Sequence, residues 1–190
     1  FRAGYVDGTV WDDVNIGDYS TAMGRETSAS GSYSTAMGEY TTASGDNSTA
    51  MGYDAVASGI YSTAMGRSTT ASGSHSTAMG RVTTASGSHS TAMGYVTSAP
   101  SGYETAIGRY NTSYAPVSTT GWNAADRLFV VGNGTNTGSL ESDAMVILKS
   151  GNVGIGTSSP NSKLHVNNPS TATGAHFRVQ DAGNTRFCVA

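Results

Sequence analysis

Large aliphatic side chains are scarce in this chain. Leu, Ile, Val and Phe supply only 27 of its 190 residues, and four leucines cannot line the faces of a helical bundle. Charge is scarce too: 12% of residues are charged and the net charge is −3. Disorder driven by charge repulsion is therefore excluded. Two lysines and a net negative charge speak against nucleic acid as a partner. No apolar run approaches the roughly 18 residues a spanning helix needs, so no membrane insertion by this segment is expected. The lone cysteine, Cys188, excludes an intrachain disulfide framework. A first residue that is Phe1 rather than Met suggests a fragment or a processed product.

Small residues are abundant instead. Ser, Thr and Gly number 27, 25 and 25, so any core must be thin and built from small side chains. They are also strictly arranged. The string STAMG occurs at 20–24, 34–38, 48–52, 62–66, 76–80 and 90–94, with a variant, ETAIG, at 104–108. A second string, ASG, lies between the copies at 29–31, 43–45, 57–59, 71–73 and 85–87. Together they define a 14-residue repeat made of two seven-residue halves. A coiled coil shares the sevenfold period but needs large apolar residues at two heptad positions. Gly in every half-repeat would cost a helix about 1 kcal/mol each time. The halves instead read as strands of four or five residues closed by a Gly turn. Two strands make one turn of a parallel solenoid, with turns about 4.8 Å apart.

Alternation along a strand then assigns faces. Ser20, Ala22 and Gly24 share one side, as do Thr27, Ala29 and Gly31; these small residues fit a narrow interior. Met23, Met37, Met51, Met65, Met79 and Met93 point outward, ended by Ile16 and Ile107. Thr21, Thr35, Thr49, Thr63, Thr77 and Thr91 flank them on the same face. This stripe, about 30 Å long, would be an abnormal apolar patch in water. Nothing amphipathic in the chain could cover it, so packing against identical copies is expected.

The Ser-x-Ala-x-Gly half-turn pattern over residues 14–109 resembles the head repeats of YadA-like trimeric autotransporter adhesins. The resemblance implies a left-handed parallel β-roll, a homotrimer, and a trimer core at the Thr21/Met23 positions and their repeats. Thr throughout the first of these positions, where the family carries Val, makes the expected interface wetter.

Regular repeats fade after Gly108. The expected organisation is a lead-in over 1–18, a β-roll over 19–116 and a β-rich connector over 117–190. Apolar β-type runs lie at 128–131, 144–148 and 153–156, with a further short strand at 163–166 and a hairpin about 181–184. The stretch 143–166, DAMVILKSGNVGIGTSSPNSKLHV, makes residues 127–166 resemble a connector of bacteriophage tail fibres. That resemblance likewise implies an elongated trimer.

Catalytic and metal chemistry find little purchase. His75 and His89 sit one turn apart in a column with Tyr19, Tyr33, Asn47, Tyr61 and Tyr103, and read as stacked rings at the roll edge rather than a metal pair. No Ser has His and Asp in a triad arrangement, and the glycines at 132–134 and 151–156 open no helix that would cradle a phosphate. No enzyme activity, cofactor or metal is expected. Tyr53, Arg67, His75, Arg81, His89 and Tyr95 are the candidate receptor surface, suited to sugar rings or acidic glycans. The resulting expectation is an extracellular adhesive fibre segment on a bacterial cell surface. It would bind a cell-surface receptor, glycan or matrix protein by multivalent contacts. A phage-type tail fibre on a virion is the first alternative. An ice-binding solenoid using the Thr-x-Ser rows of the second strands is the other.

Overall fold

The computed structural model describes residues 2–5, 16–167, 177–181 and 184–189. Most of the lead-in expected over 1–18 lies outside the described residues, apart from a strand at Arg2–Tyr5 paired in parallel with Thr21–Arg25. The chain is all-β. Five-residue strands run Thr21–Arg25, Thr35–Glu39, Thr49–Tyr53, Thr63–Arg67, Thr77–Arg81, Thr91–Tyr95 and Thr105–Arg109. They pair in parallel with a constant 14-residue offset, Thr on Thr, Ala on Ala and Met on Met. Short strands at Thr42–Ala43, Val56–Ala57, Thr70–Ala71, Thr84–Ala85 and Ser98–Ala99 form a second parallel sheet.

The two halves of the repeat differ more than their matching length suggests. The second strand has two residues, not four or five. After Ala43 the N–H groups of Ser44 and Gly45 both donate to one carbonyl, that of Ala57, at 3.0 and 3.2 Å. A shared acceptor ends the ladder, and the chain turns there.

Both sheets turn alanine inward. Every Ala of the two repeat strings is fully buried, from Ala22 to Ala106. Ser34, Ser48, Ser62, Ser76 and Ser90, with Thr41, Thr69, Thr83 and Thr97, fill the rest of the interior. The strand glycines are placed differently from the sequence expectation. Gly24 and its repeats lie at the rim, not in the core. Their role is close approach: Gly66 has φ +128, and a Cβ there would sit 1.9 Å from the carbonyl oxygen of Gly80. Only a residue without Cβ lets successive turns meet at this corner.

A second backbone feature has the seven-residue period. From Tyr19 to Tyr110 every seventh residue is left-handed, with φ between 44° and 64°. Only Asn47, Asp54, His75 and His89 among them are types enriched in this region. For the others it costs about 1–2 kcal/mol each. Backbone bonding holds the row there: His75 N–H donates to Ile60 and Val82 N–H to Arg67, each at 2.8 Å, one turn back.

After Arg109 the chain makes a long detour before rejoining the same sheet. Arg127–Asn133 pairs in parallel with Thr105–Arg109. Asp143–Leu148 and Val153–Ile155 follow antiparallel, and Leu164–Val166 adds a last parallel strand. The connector strands thus extend the roll's own sheet to twelve strands, and Val130 and Val146 continue its buried alanine row. Phe177–Asp181 and Asn184–Val189 form a separate antiparallel hairpin, with Asp181 opposite Asn184.

The detour seals the end of the roll. The Asn111 side chain accepts from Ser98 N–H at 2.8 Å and donates to Ser98 C=O at 2.9 Å, imitating the missing next strand of the second sheet. Beneath it lies a set of buried charges: Glu104, Asp126, Arg127, Asp143 and Lys149. Glu104 stands where the preceding turns carry an inward Ser. One of its carboxylate oxygens accepts from Ser101 N–H and from Tyr114 O–H, both at 3.0 Å. Asp126 accepts from Val117 and Ser118 N–H at 2.7 and 2.9 Å. Arg127 pairs with Asp143 at 3.3 Å and lies 4.3 Å from the Tyr114 ring centroid. Lys149 reaches Ser101 Oγ at 3.1 Å and stands 4.0 Å from Asp126. Burial pushes the Glu104 carboxyl up from its ordinary range and the Lys149 amine down. The Tyr114 hydroxyl is raised by burial first and then by the Glu104 carboxylate. Among the described residues no helix is long and apolar enough to cross a membrane.

Candidate functional site

The methionines stand on the outer face of the long-strand sheet. They cannot enter the interior, which Ala and Ser already fill to zero or near-zero exposure. Met23, Met37, Met65, Met79 and Met93 are half-buried and Met51 is 37% exposed. Thr21, Thr35, Thr49, Thr63, Thr77 and Thr91 form a parallel half-buried row beside them, which Thr105 continues. Ile107 is in register with Met93, as expected. Ile16 is not part of this face. It bridges to Ala29 in the second sheet and packs on the alanine core, because it lies in the half-repeat that turns away from the methionines.

The six candidate receptor residues fall into two sets. His75 and His89 precede the long strands, whereas Tyr53, Arg67, Arg81 and Tyr95 end them. A five-residue strand, about 13 Å long, separates the two edges. The expectation of one continuous surface is corrected accordingly, since a parallel strand puts its first and last residues on opposite rims.

On the leading rim the rings stack. Tyr61, His75, His89 and Tyr103 follow one another with centroids 5.0, 4.7 and 4.8 Å apart, and Tyr19 stacks on Tyr33 at 5.0 Å. Trp122 extends the row, 6.3 Å beyond Tyr103. Stacked rings cover one another's faces and offer their edges to solvent. Sugar stacking on His75 or His89 is therefore blocked by their neighbours. Among the described residues, no three His, Cys, Asp or Glu side chains come together as a metal site would require.

On the trailing rim cations and rings alternate. Arg67 and Arg81 are paired in register but lean apart, Arg67 over Tyr53 at 5.7 Å and Arg81 over Tyr95 at 5.1 Å. Each guanidinium is thereby drawn to a ring face and away from its like-charged neighbour. Arg25 lies 5.3 Å from the Tyr40 centroid and pairs with Glu39 at 2.9 Å; Arg109 stands 5.5 Å from Tyr110. The Tyr95 hydroxyl is lowered by its bond to Tyr110 and by Arg81, while Tyr110 is raised by the same bond. Sequence reasoning did not reach Tyr40 and Tyr110, whose signal was the aromatic one residue beyond the repeat's own strand.

The second sheet gives the ice-binding alternative little room. Only Thr42, Val56, Thr70, Thr84 and Ser98 hold outward strand positions there, one per turn, and the Ser of each Thr-x-Ser pair falls past the strand end.

These features define a parallel β-solenoid of small-residue turns carrying one apolar face and two decorated rims, the architecture of an adhesin-type repeat protein. Residues 16–41, 43–69 and 71–97 match the family model described as YadA head domain repeat (2 copies), so the roll is similar to a YadA head. The match ends at residue 97, and the tail-fibre resemblance of 127–166 has no counterpart in it. No curated protein matches the chain.

Proposed function

We propose that three copies of the chain pack their Thr/Met faces around a shared axis and form a rigid, non-enzymatic adhesive rod. The observation that carries this reading is the outer face itself. It bears no charge along seven strands, is half-buried within one chain, and has no covering segment among the described residues. Both rims then point away from the axis. The trailing rim, with Arg67, Arg81, Tyr53 and Tyr95, suits acidic glycans or acidic patches on a receptor or matrix protein. Each contact is weak, and three-fold repetition on a stiff scaffold supplies avidity. The stacked His75/His89 rim serves the scaffold.

Light scattering behind a sizing column tests the assembly: the native mass should be three times 19.4 kDa. Met51→Asp with Met65→Asp should give monomers, and a double variant that stays trimeric refutes the assignment of the face. Arg67→Ala with Arg81→Ala should remain trimeric but bind glycan-bearing cells more weakly. Undiminished adhesion removes the trailing rim from the receptor surface.

A further inference from the structure

The register of the twelve-stranded sheet carries the outer face past the last repeat. Ile107 is paired with Val131, Val131 with Met145, Met145 with Ile155, and Ile155 with Val166. The methionine row therefore runs without a break from Met23 to Val166, over eleven strands and about 48 Å. The neighbouring row changes chemistry on the way. Seven threonines, Thr21 to Thr105, give way to Phe129, Ile147, Val153 and Leu164. Neither row carries a charge at any strand.

We infer that the four connector strands are the dry clamp of the assembly, closing on the same strands of the other copies, while the roll contributes a wetter and weaker contact. The inference rests on the trimer reading above and deepens it. The connector's inward row is a different one, in which Val130, Val146 and Gly154 are paired in register and buried. Ile155 and Leu164 remain 38% and 55% exposed in the single chain. A second copy is the occupant that fits. Ridges spaced about 4.8 Å apart mesh strand for strand only with a surface of the same pitch, and the face continues the one proposed for the roll. Between copies, Thr hydroxyls must find partners or lose hydrogen bonds to water, whereas Phe, Ile, Val and Leu incur no such loss.

The decisive comparison uses the full chain. Phe129→Thr, Ile147→Thr and Val153→Thr together give the connector the row that the roll already folds with. Its trimer should come apart at a concentration about a hundredfold higher than the wild type's, the effect of leaving three large apolar groups out of an interface. The circular-dichroism signal of the sheet should persist. Met51→Thr with Met65→Thr should shift dissociation less than about tenfold, since it removes two flexible groups from the wetter part. If the connector variant holds its trimer while the methionine variant loses it, the clamp is refuted and the trimer stands. A wild-type chain that is monomeric at every concentration overturns the trimer reading itself. Should the triple variant not fold, Ile155→Cys in a Cys188→Ser background reports instead. A short bifunctional thiol reagent should link chains at this position. Chains that stay unlinked while the protein is trimeric overturn the clamp.

Discussion

Close approach at glycine is separable from backbone torsion in this fold, and three alanine substitutions measure each part. At Gly138, φ is +72 and a Cβ would meet nothing within 4 Å, so Gly138→Ala pays torsion alone, about 1–2 kcal/mol. At Gly73 the backbone is not in the left-handed region, but a Cβ would lie 2.1 Å from the carbonyl oxygen of Gly87. At Gly66 both apply, with φ +128 and Gly80 oxygen at 1.9 Å. An ordinary contact begins near 3.4 Å, so relief at Gly73 or Gly66 needs more than 1 Å of separation. Turns about 4.8 Å apart are held by hydrogen bonds near 2.9 Å, and opening them that far ruptures several. Several lost backbone bonds at about 1 kcal/mol each put Gly73→Ala near 4 kcal/mol, with Gly66→Ala above it by the torsional share. In a chain of this length each kcal/mol lowers the midpoint by about 2–4 °C, so Gly73→Ala should melt roughly 8–16 °C early and Gly138→Ala about 2–8 °C. Thermal scans followed by circular dichroism read all three. The reasoning is refuted if Gly73→Ala melts within a few degrees of wild type, or if Gly138→Ala is as damaging as Gly66→Ala.

Two more predictions concern strain and buried charge. Val82 is β-branched at φ 56 with its side chain exposed, so Val82→Asn should stabilise the protein by about 1 kcal/mol in urea titration; unchanged or reduced stability would show that the turn is not strained there. Glu104 has a folded-state carboxyl raised above its unfolded value by burial, so the stability linked to it is fully present below about pH 4.5. That share declines as pH climbs through the folded value. Glu104→Gln keeps an oxygen for Ser101 N–H and Tyr114 O–H and should flatten the stability profile above about pH 4.5. A variant whose pH profile parallels the wild type's would refute Glu104 as the source of the dependence.

Much of this molecule was legible in one dimension because a repeat reports its own geometry. The 14-residue period forces equivalent residues to stack, and strand alternation alone separates Ala and Ser from Met and Thr. The stacked His75 and His89 followed from the same offset. A one-dimensional pattern cannot say how far each strand extends, and that depended on whether Ser44 and Gly45 had separate acceptors. Nor can it tell which rim a residue occupies, so the sequence pattern groups Arg67 and His75 on one surface although a strand's length divides them. The left-handed column escaped notice because Tyr, His and Val hold it by hydrogen bonds from neighbouring turns, with no glycine to mark it. Glu104 was visible as the odd residue in ETAIG, yet its meaning required Tyr114, Arg127 and Lys149, which the chain brings to it from up to 45 residues away. Composition and period determined that the protein is a thin, small-residue β-solenoid with an outward apolar stripe. Tertiary structure alone decided that the stripe continues through Val131, Met145, Ile155 and Val166, because that row is set by pairing between strands of unequal spacing and opposite direction.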